Sequence, residues 1–291
     1  MGAIALAACL CRAGVAAAGP DTVSLRYDVY TAGVPSLTLH LQVDVSPRSY
    51  RIVADMETQG IIGFLFPWTM RADVEGAVAG EDLRPALYRS TSLLFGRERT
   101  ARLAYAGDGT VTVETNRVPG DERRQPVDAA MRKGTVDVLT ALLRVARRLE
   151  ASGHCAVMVP VFDGRRRYDL TFADADPATA ARTVPANART CIASMQRLAG
   201  FLKSGLGWDE DDDARAAAVA VARVFADAPM MPVRLELATA IGMAQAVLEE
   251  VAYRGVALAS PAIRPVEEPR RAPPLTASPR DDRQLMLPRG D

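Results

Sequence analysis

"ARAAAVAVARVFADAPMMPVRLELATAIGMAQAVLEEVAY" runs from Ala214 to Tyr253, and its reading decides the fold. Alanine favours helix, so two helices over 214–226 and 238–252 are one reading. The other is three strands. Val219, Val221, and Arg223 with Phe225 keep a two-residue step, as do Val233, Leu235 and Leu237. Pro229 and Pro232 separate the two runs, and Ile241-Gly242 falls where a hairpin turn would stand, with Thr239 before it. A period of two marks a strand, and helix propensity is a weak prior that tertiary context overrides. The strand reading is therefore taken.

The front of the chain agrees with it. Leu25, Tyr27 and Val29 alternate with Arg26, Asp28 and Tyr30; Leu37, Leu39 and Leu41 alternate with Thr38, His40 and Gln42. Tyr50, Ile52, Ala54 and Met56 continue the pattern, with one face buried and one wet. Short strands follow near Thr69–Gly76, Ala86–Phe95, Arg99–Ala106 and Thr110–Thr115, and Gly107-Asp108-Gly109 is a turn between the last two. Strands in succession with short turns read as an antiparallel meander. The expected class is mainly β (α+β): a large curled antiparallel sheet or half-barrel with one long amphipathic helix and short helical plugs.

The long helix begins near Val136. Val136, Leu139, Leu142, Leu143, Ala146 and Leu149 fall at helical spacing, opposite Arg144, Arg147, Arg148 and Glu150. Thr135 or Gly134 is the expected cap, Gly153 the expected end, and the arginines read as a solvated face. "GIIGFLFPW", Gly60 to Trp68, is apolar throughout. It reads either as a loop or short helix plugging the core or as the lip of an apolar binding cavity. In the second reading Ile61, Ile62, Phe64, Leu65, Phe66 and Trp68 are the candidate ligand contacts.

The chain has 291 residues, with 35 basic residues balancing 35 acidic ones. A neutral total argues against a nucleic-acid binder, which needs a net basic surface. Residues 1–19 read as a signal-like leader cleaved near Ala18. A cytoplasmic start is one alternative; a lipobox-like Leu6-Ala7-Ala8-Cys9, placing a lipid on Cys9, is another. No apolar stretch long enough to span a membrane follows. Residues 20–258 read as one domain, and the proline- and charge-rich 259–291 as a disordered tail. Asp209–Asp213 lacks the ligand pattern of a calcium loop and reads as a solvated loop. Export directs the two remaining cysteines, Cys155 and Cys191, towards one disulfide, against the reading of two separate buried thiols. No metal-ligand spacing surrounds them, and no cofactor is implied.

"VFDGRRRYDLTF", Val161 to Phe172, holds the densest chemistry. Asp163-Gly164 suits a two-residue type I′ hairpin turn flanked by Phe162 and Arg165. Arg166, Tyr168 and Leu170 would then share one face, and neighbouring arginines would point to opposite faces instead of converging on an anion. Asp163 and Asp169 read as ion-pair partners. Neither His40 nor His154 stands in a catalytic motif: Gly-x-Ser-x-Gly and His-Glu-x-x-His are both missing. No catalytic residue is therefore assigned.

These segments, taken in order, resemble the DUF3108 family of exported bacterial proteins. The resemblance rests on "VFDGRRRYDLTF" after one cysteine, with the signature positions Phe162, Asp163, Gly164, Arg166, Tyr168 and Asp169. A second cysteine before Gly200-Phe201 belongs to it. So do "YDVYTAGVP" (Tyr27–Pro35), "SYRIVADMETQGIIGFLFPW", "LRPALY" (Leu83–Tyr88), "GTVDVLTALL" (Gly134–Leu143) and "MPVRLELAT" (Met231–Thr239). The family's Gly-x-x-Asp-Pro helix start is matched by Gly134 and Asp137, with Val138 in place of the proline. The resemblance implies a periplasmic β-rich protein, similar at the level of fold to lipoprotein carriers, in which a sheet curls around an apolar cavity. The expectation is a non-enzymatic envelope protein whose partner is a lipid or other apolar small molecule. A structural or protein-interaction module of the envelope is the alternative, and an envelope hydrolase is a third reading.

Overall fold

Strands occupy the alanine-rich stretch. The computed structural model describes residues 21–80, 82–182, 188–201, 216–239 and 242–259. The expected leader, the acidic run Asp209–Asp213 and the tail beyond Ala259 lie outside the described residues, as do Ala240 and Ile241.

In chain order the elements are β1 (Asp21–Thr31), β2 (Val34–Val45), β3 (Ser49–Thr58), α1 (Gly60–Leu65), β4 (Trp68–Ala79), β5 (Asp82–Leu94), β6 (Arg97–Tyr105) and β7 (Val111–Thr115). A 3₁₀ turn at Asp121–Arg123 and α2 (Ala129–Arg132) lead to α3 (Val138–Ser152). Then come β8 (Val157–Phe162), β9 (Arg167–Asp174), α4 (Pro177–Arg182), β10 (Arg189–Ala199), β11 (Ala217–Ala222), β12 (Met231–Thr239), β13 (Gly242–Tyr253) and β14 (Val256–Ala259). Among the described residues the strands form one 14-stranded antiparallel sheet, in the order β7-β6-β5-β4-β3-β2-β1-β13-β12-β11-β10-β9-β8, with β14 beside β13. The first and second halves of the chain meet where β1 pairs with β13.

Why the alanine-rich stretch hides its period is visible in β11. Val219 and Val221 pack into one core cluster and Ala220 and Ala222 into another. Successive strand residues point to opposite faces, and here both faces are buried. A strand covered on both sides needs no polar alternation, and alanine fits because both faces are crowded.

The sheet's end strands, β7 and β8, do not pair with each other. The chain between them closes the gap. The Gly134 amide donates to Gly109 O at 2.8 Å, at the β6–β7 turn; two residues on, the Val136 amide donates to Pro160 O at 3.0 Å, on β8. Phe162 N returns a bond to Val136 O at 2.9 Å, so Val136 pairs in parallel with β8. This is why the helix starts later than expected. Asp137, not Thr135 or Gly134, caps α3, its carboxylate accepting the Thr140 amide at 2.9 Å. Gly153, at φ +69°, ends the helix as expected.

α3 then packs across both halves. Ala141, Val145 and Leu149 join the cluster of β8–β11, while Leu139 joins that of β3–β6. Leu142, expected on the apolar face, is exposed. The arginine side is not merely solvated: Arg144 donates to Leu83 O at 2.6 Å and pairs with Asp82 at 3.0 Å, and Arg147 donates to Gly80 O at 3.0 Å. Both hold the β4–β5 turn.

Cys155 and Cys191 form a disulfide closing a separation of 36 residues. It ties the segment before β8 to β10, across the intervening β9.

Candidate functional site

The "VFDGRRRYDLTF" hairpin is structural. Phe162 pairs with Arg167, so the connection has four residues, Asp163 to Arg166, and is not the two-residue turn expected. The Asp163 carboxylate favours the longer loop by accepting the amides of Arg165 at 3.0 Å and Arg166 at 2.8 Å. Arg166 thus lies in the turn rather than on the Tyr168 face, and pairs with Asp163 at 2.7 Å. Arg167 pairs with Asp169 at 2.6 Å. Arg165 crosses the open gap to Asp121 and to the carbonyl of Asn116. The three arginines go to three different places. Phe162 and Gly164 are buried; Gly164 sits against Ala101 of β6, where a Cβ would come within 2.6 Å. Gly200 lies against the Arg165 carbonyl, and Phe201 packs edge-on to Tyr168 at 6.5 Å between ring centres.

The apolar loop behaves differently. α1 forms, but buries none of its residues, so it does not plug the core. Thr58 fixes it from below: its hydroxyl donates to Phe66 O at 2.9 Å and accepts the Trp68 amide at 3.0 Å. Gly63 lies directly on the Thr58 carbonyl, where a Cβ would come within 2.6 Å, so only glycine permits this approach. The polar backbone is satisfied inward and the apolar side chains turn outward. Phe64 is 81% exposed, and Ile61, Leu65 and Phe66 all exceed half exposure. Ile62 and Trp68 are half-buried beneath them.

A second segment completes this surface, and the sequence reading passed over it. Leu93, Leu94 and Phe95, at the β5–β6 turn, are also exposed. The Phe95 amide donates to Pro67 O at 3.4 Å, and its ring meets that of Phe66 edge-on at 6.1 Å. Leu94 pairs with Arg97, so Phe95 and Gly96 are the two central residues of a hairpin turn, with φ of +48° and +72°. Asn, Asp or Gly ordinarily fills such positions, and a bulky side chain at positive φ is strained. An aromatic held there and left in water is a local conflict of the kind found at functional sites. The signal in the sequence was a Leu-Leu-Phe-Gly run where a polar turn belongs.

A cleft of about 200 Å³ opens beside this surface, lined in part by Thr58, Gly63, Pro67, Trp68 and Leu93. A larger groove of about 480 Å³ lies elsewhere and carries Arg26, His40, Asp55, Arg71 and Glu250. Its charges are paired within the protein: Arg71 with Asp55 at 2.8 Å and Arg26 with Glu250 at 2.9 Å. His154 contacts Asp174 at 3.1 Å on the surface beside the disulfide. Among the described residues no group of three or more His, Cys, Asp or Glu is placed to hold a metal ion, and no helix is long and apolar enough to cross a membrane.

Fold and surface together define a class: an open, curled antiparallel sheet bridged by a helix, with an exposed apolar end. Within that class the chain belongs to the DUF3108 family, proteins of unknown function, whose family model matches residues 26–249. No curated protein matches it. Among solved structures it is similar to a β-barrel-like protein of the domain of unknown function DUF1849 from Brucella abortus, at 10% identity and a TM-score of 0.46, over 82% of this chain and 99% of that one.

Proposed function

We propose that this chain is a non-enzymatic protein of the bacterial cell envelope that binds an apolar ligand, a lipid acyl chain, at the α1 end of the sheet. The carrying observation is the contact of Phe66 with a strained, exposed Phe95, in a surface of seven large apolar side chains: Ile61, Phe64, Leu65, Phe66, Leu93, Leu94 and Phe95. Water-exposed apolar clusters of this kind mark contact sites. The disulfide supports an oxidising compartment, and therefore export to the periplasm. In this reading the ligand sits at the end of the sheet. The buried face is already occupied by α3 and the side chains packed on it.

The test uses Trp68, which lines the cleft. The chain has two tryptophans, so a W208F variant leaves Trp68 as the only reporter. Titration with a fatty acid below its micelle concentration is expected to shift Trp68 emission to the blue and to saturate. An unchanged spectrum contradicts acyl binding there. It would leave the same surface to a protein partner, the alternative envelope role.

A further inference from the structure

Asp137 is fully buried and, among the described residues, pairs with no cation. Its exposure is 0%, as is that of Thr140, and Tyr50 is at 2%. Its two oxygens take the Thr140 amide at 2.9 Å and the Thr140 hydroxyl at 2.7 Å. The Thr140 hydroxyl lies 2.8 Å from the hydroxyl of Tyr50 on β3. Three groups on two elements therefore form one chain, at the point where α3 begins and the sheet's gap is bridged. The surrounding ionisable groups are mostly neutral: Tyr88 on β5, Tyr105 on β6 and Tyr168 on β9. Arg144 and Asp82, which pair with each other, act on Tyr50; Asp163 and Arg166, also paired, act on Tyr88. The Tyr105 hydroxyl is buried with no hydrogen-bond partner among the described residues.

We propose that Asp137, Thr140 and Tyr50 form a proton-dependent latch, which seats the start of α3 on the sheet most firmly when Asp137 carries a proton. With Asp137 ionised, Tyr50 donates to Thr140 and Thr140 to Asp137. One proton taken from solvent onto Oδ2 reverses the chain: Asp137 donates to Thr140, and Thr140 to Tyr50. The same heavy-atom positions serve both states. Reversal leaves the Tyr50 hydrogen without an acceptor, whereas ionisation leaves a buried carboxylate with no counter-charge. The second cost is the larger.

Burial also holds the Asp137 carboxyl above the ordinary carboxylate range, against the opposing pull of the Thr140 hydroxyl and of the Thr140, Asp137 and Leu139 amides. The direction of the pH effect follows. A pKa raised on folding gives stability that is complete below the unfolded value, and that stability is lost as pH rises through the folded value. An ordinary capping aspartate at a helix N-terminus does the opposite.

Asp137→Asn separates the two cases. The asparagine carbonyl still accepts the Thr140 amide, and its NH₂ donates to the Thr140 hydroxyl, mimicking the protonated acid. The measurement is hydrogen exchange of the α3 amides in the full chain, corrected for intrinsic rates, from acid to neutral pH. Protection in the native chain is expected to fall relative to D137N by roughly tenfold for each pH unit between the unfolded and folded pKa values. A ratio independent of pH, or one that rises with pH, overturns the latch. Should D137N fail to fold, ¹³C NMR titration of the Asp137 carboxyl in the native chain decides: a midpoint at or below the ordinary aspartate value overturns it.

Discussion

Arg165, in the β8–β9 turn, donates from Nη2 to the backbone carbonyl of Asn116 at 2.8 Å, and this bond spans the gap between the two ends of the sheet. The same guanidinium pairs with Asp121, which also holds Arg124 at 3.1 Å, and Arg124 in turn donates to Gly200 O at 3.0 Å. Arg165 thus joins the end of β7 to the turn after it, and Arg124 carries the link on to the end of β10. Replacing Arg165 with alanine leaves Asp121 and the Asn116 carbonyl without this donor in a mostly buried setting. The expected loss is about 2–3 kcal/mol in urea unfolding. Lysine is expected to recover less than half of it, because it offers one point charge in place of a fork. A loss below about 0.5 kcal/mol would mean that the gap is held by the Gly134–Val136 bridge alone.

Gly200 is the other half of that joint. At φ +83°, its added Cβ would lie 1.9 Å from the Arg165 carbonyl oxygen. Gly200→Ala is expected to cost more than about 3 kcal/mol, combining backbone strain with an overlap that neither chain relieves cheaply.

The disulfide gives a cleaner magnitude. Closing a separation of 36 residues corresponds to about 3–4 kcal/mol in the chain-entropy model. The C155A/C191A double variant is expected to lose about that amount, and native chain under reducing conditions to fall by the same measure. Equal stability with and without the bond would show that the β8–β10 packing alone sets this corner.

Much of the fold was legible because most strands have one wet face: Val23, Leu25 and Tyr27 are buried between more polar neighbours, and the two-residue period shows. β11 was harder because both its faces are buried, and there the prolines and the Val233–Leu237 step carried the reading. The helix start was misplaced by two to three residues. Thr135 and Gly134 have capping chemistry, but the pairing of Val136 with β8 is a long-range fact that no local pattern reports. The same holds for the arginine turn, where Arg165 finds its partners on β6 and beyond β7. Half of the candidate site was legible in Gly60–Trp68. The other half, Leu93 to Phe95, looked like the end of an ordinary strand; its meaning lies in the backbone angle of Phe95 and in its contact with Phe66.

Phe95 allows stability and binding to be separated. Asparagine tolerates positive φ far better than phenylalanine, so Phe95→Asn is expected to raise stability by a few tenths to about 1 kcal/mol. The same change removes an apolar contact from the surface and is expected to weaken acyl binding about fivefold or more. A variant that binds as well as the native chain would remove Phe95 from the site.

The most direct measurement is lipid content. The full chain, purified from envelope extracts without detergent exchange, is examined by native mass spectrometry and by solvent extraction, beside F95N and the double variant F64S/F66S. The native chain is expected to carry acyl lipid near one per protein, F95N severalfold less and F64S/F66S at least tenfold less, both with unchanged circular dichroism. A native chain free of lipid that also fails to take up added fatty acid would contradict the proposed function, as would equal lipid on all three proteins.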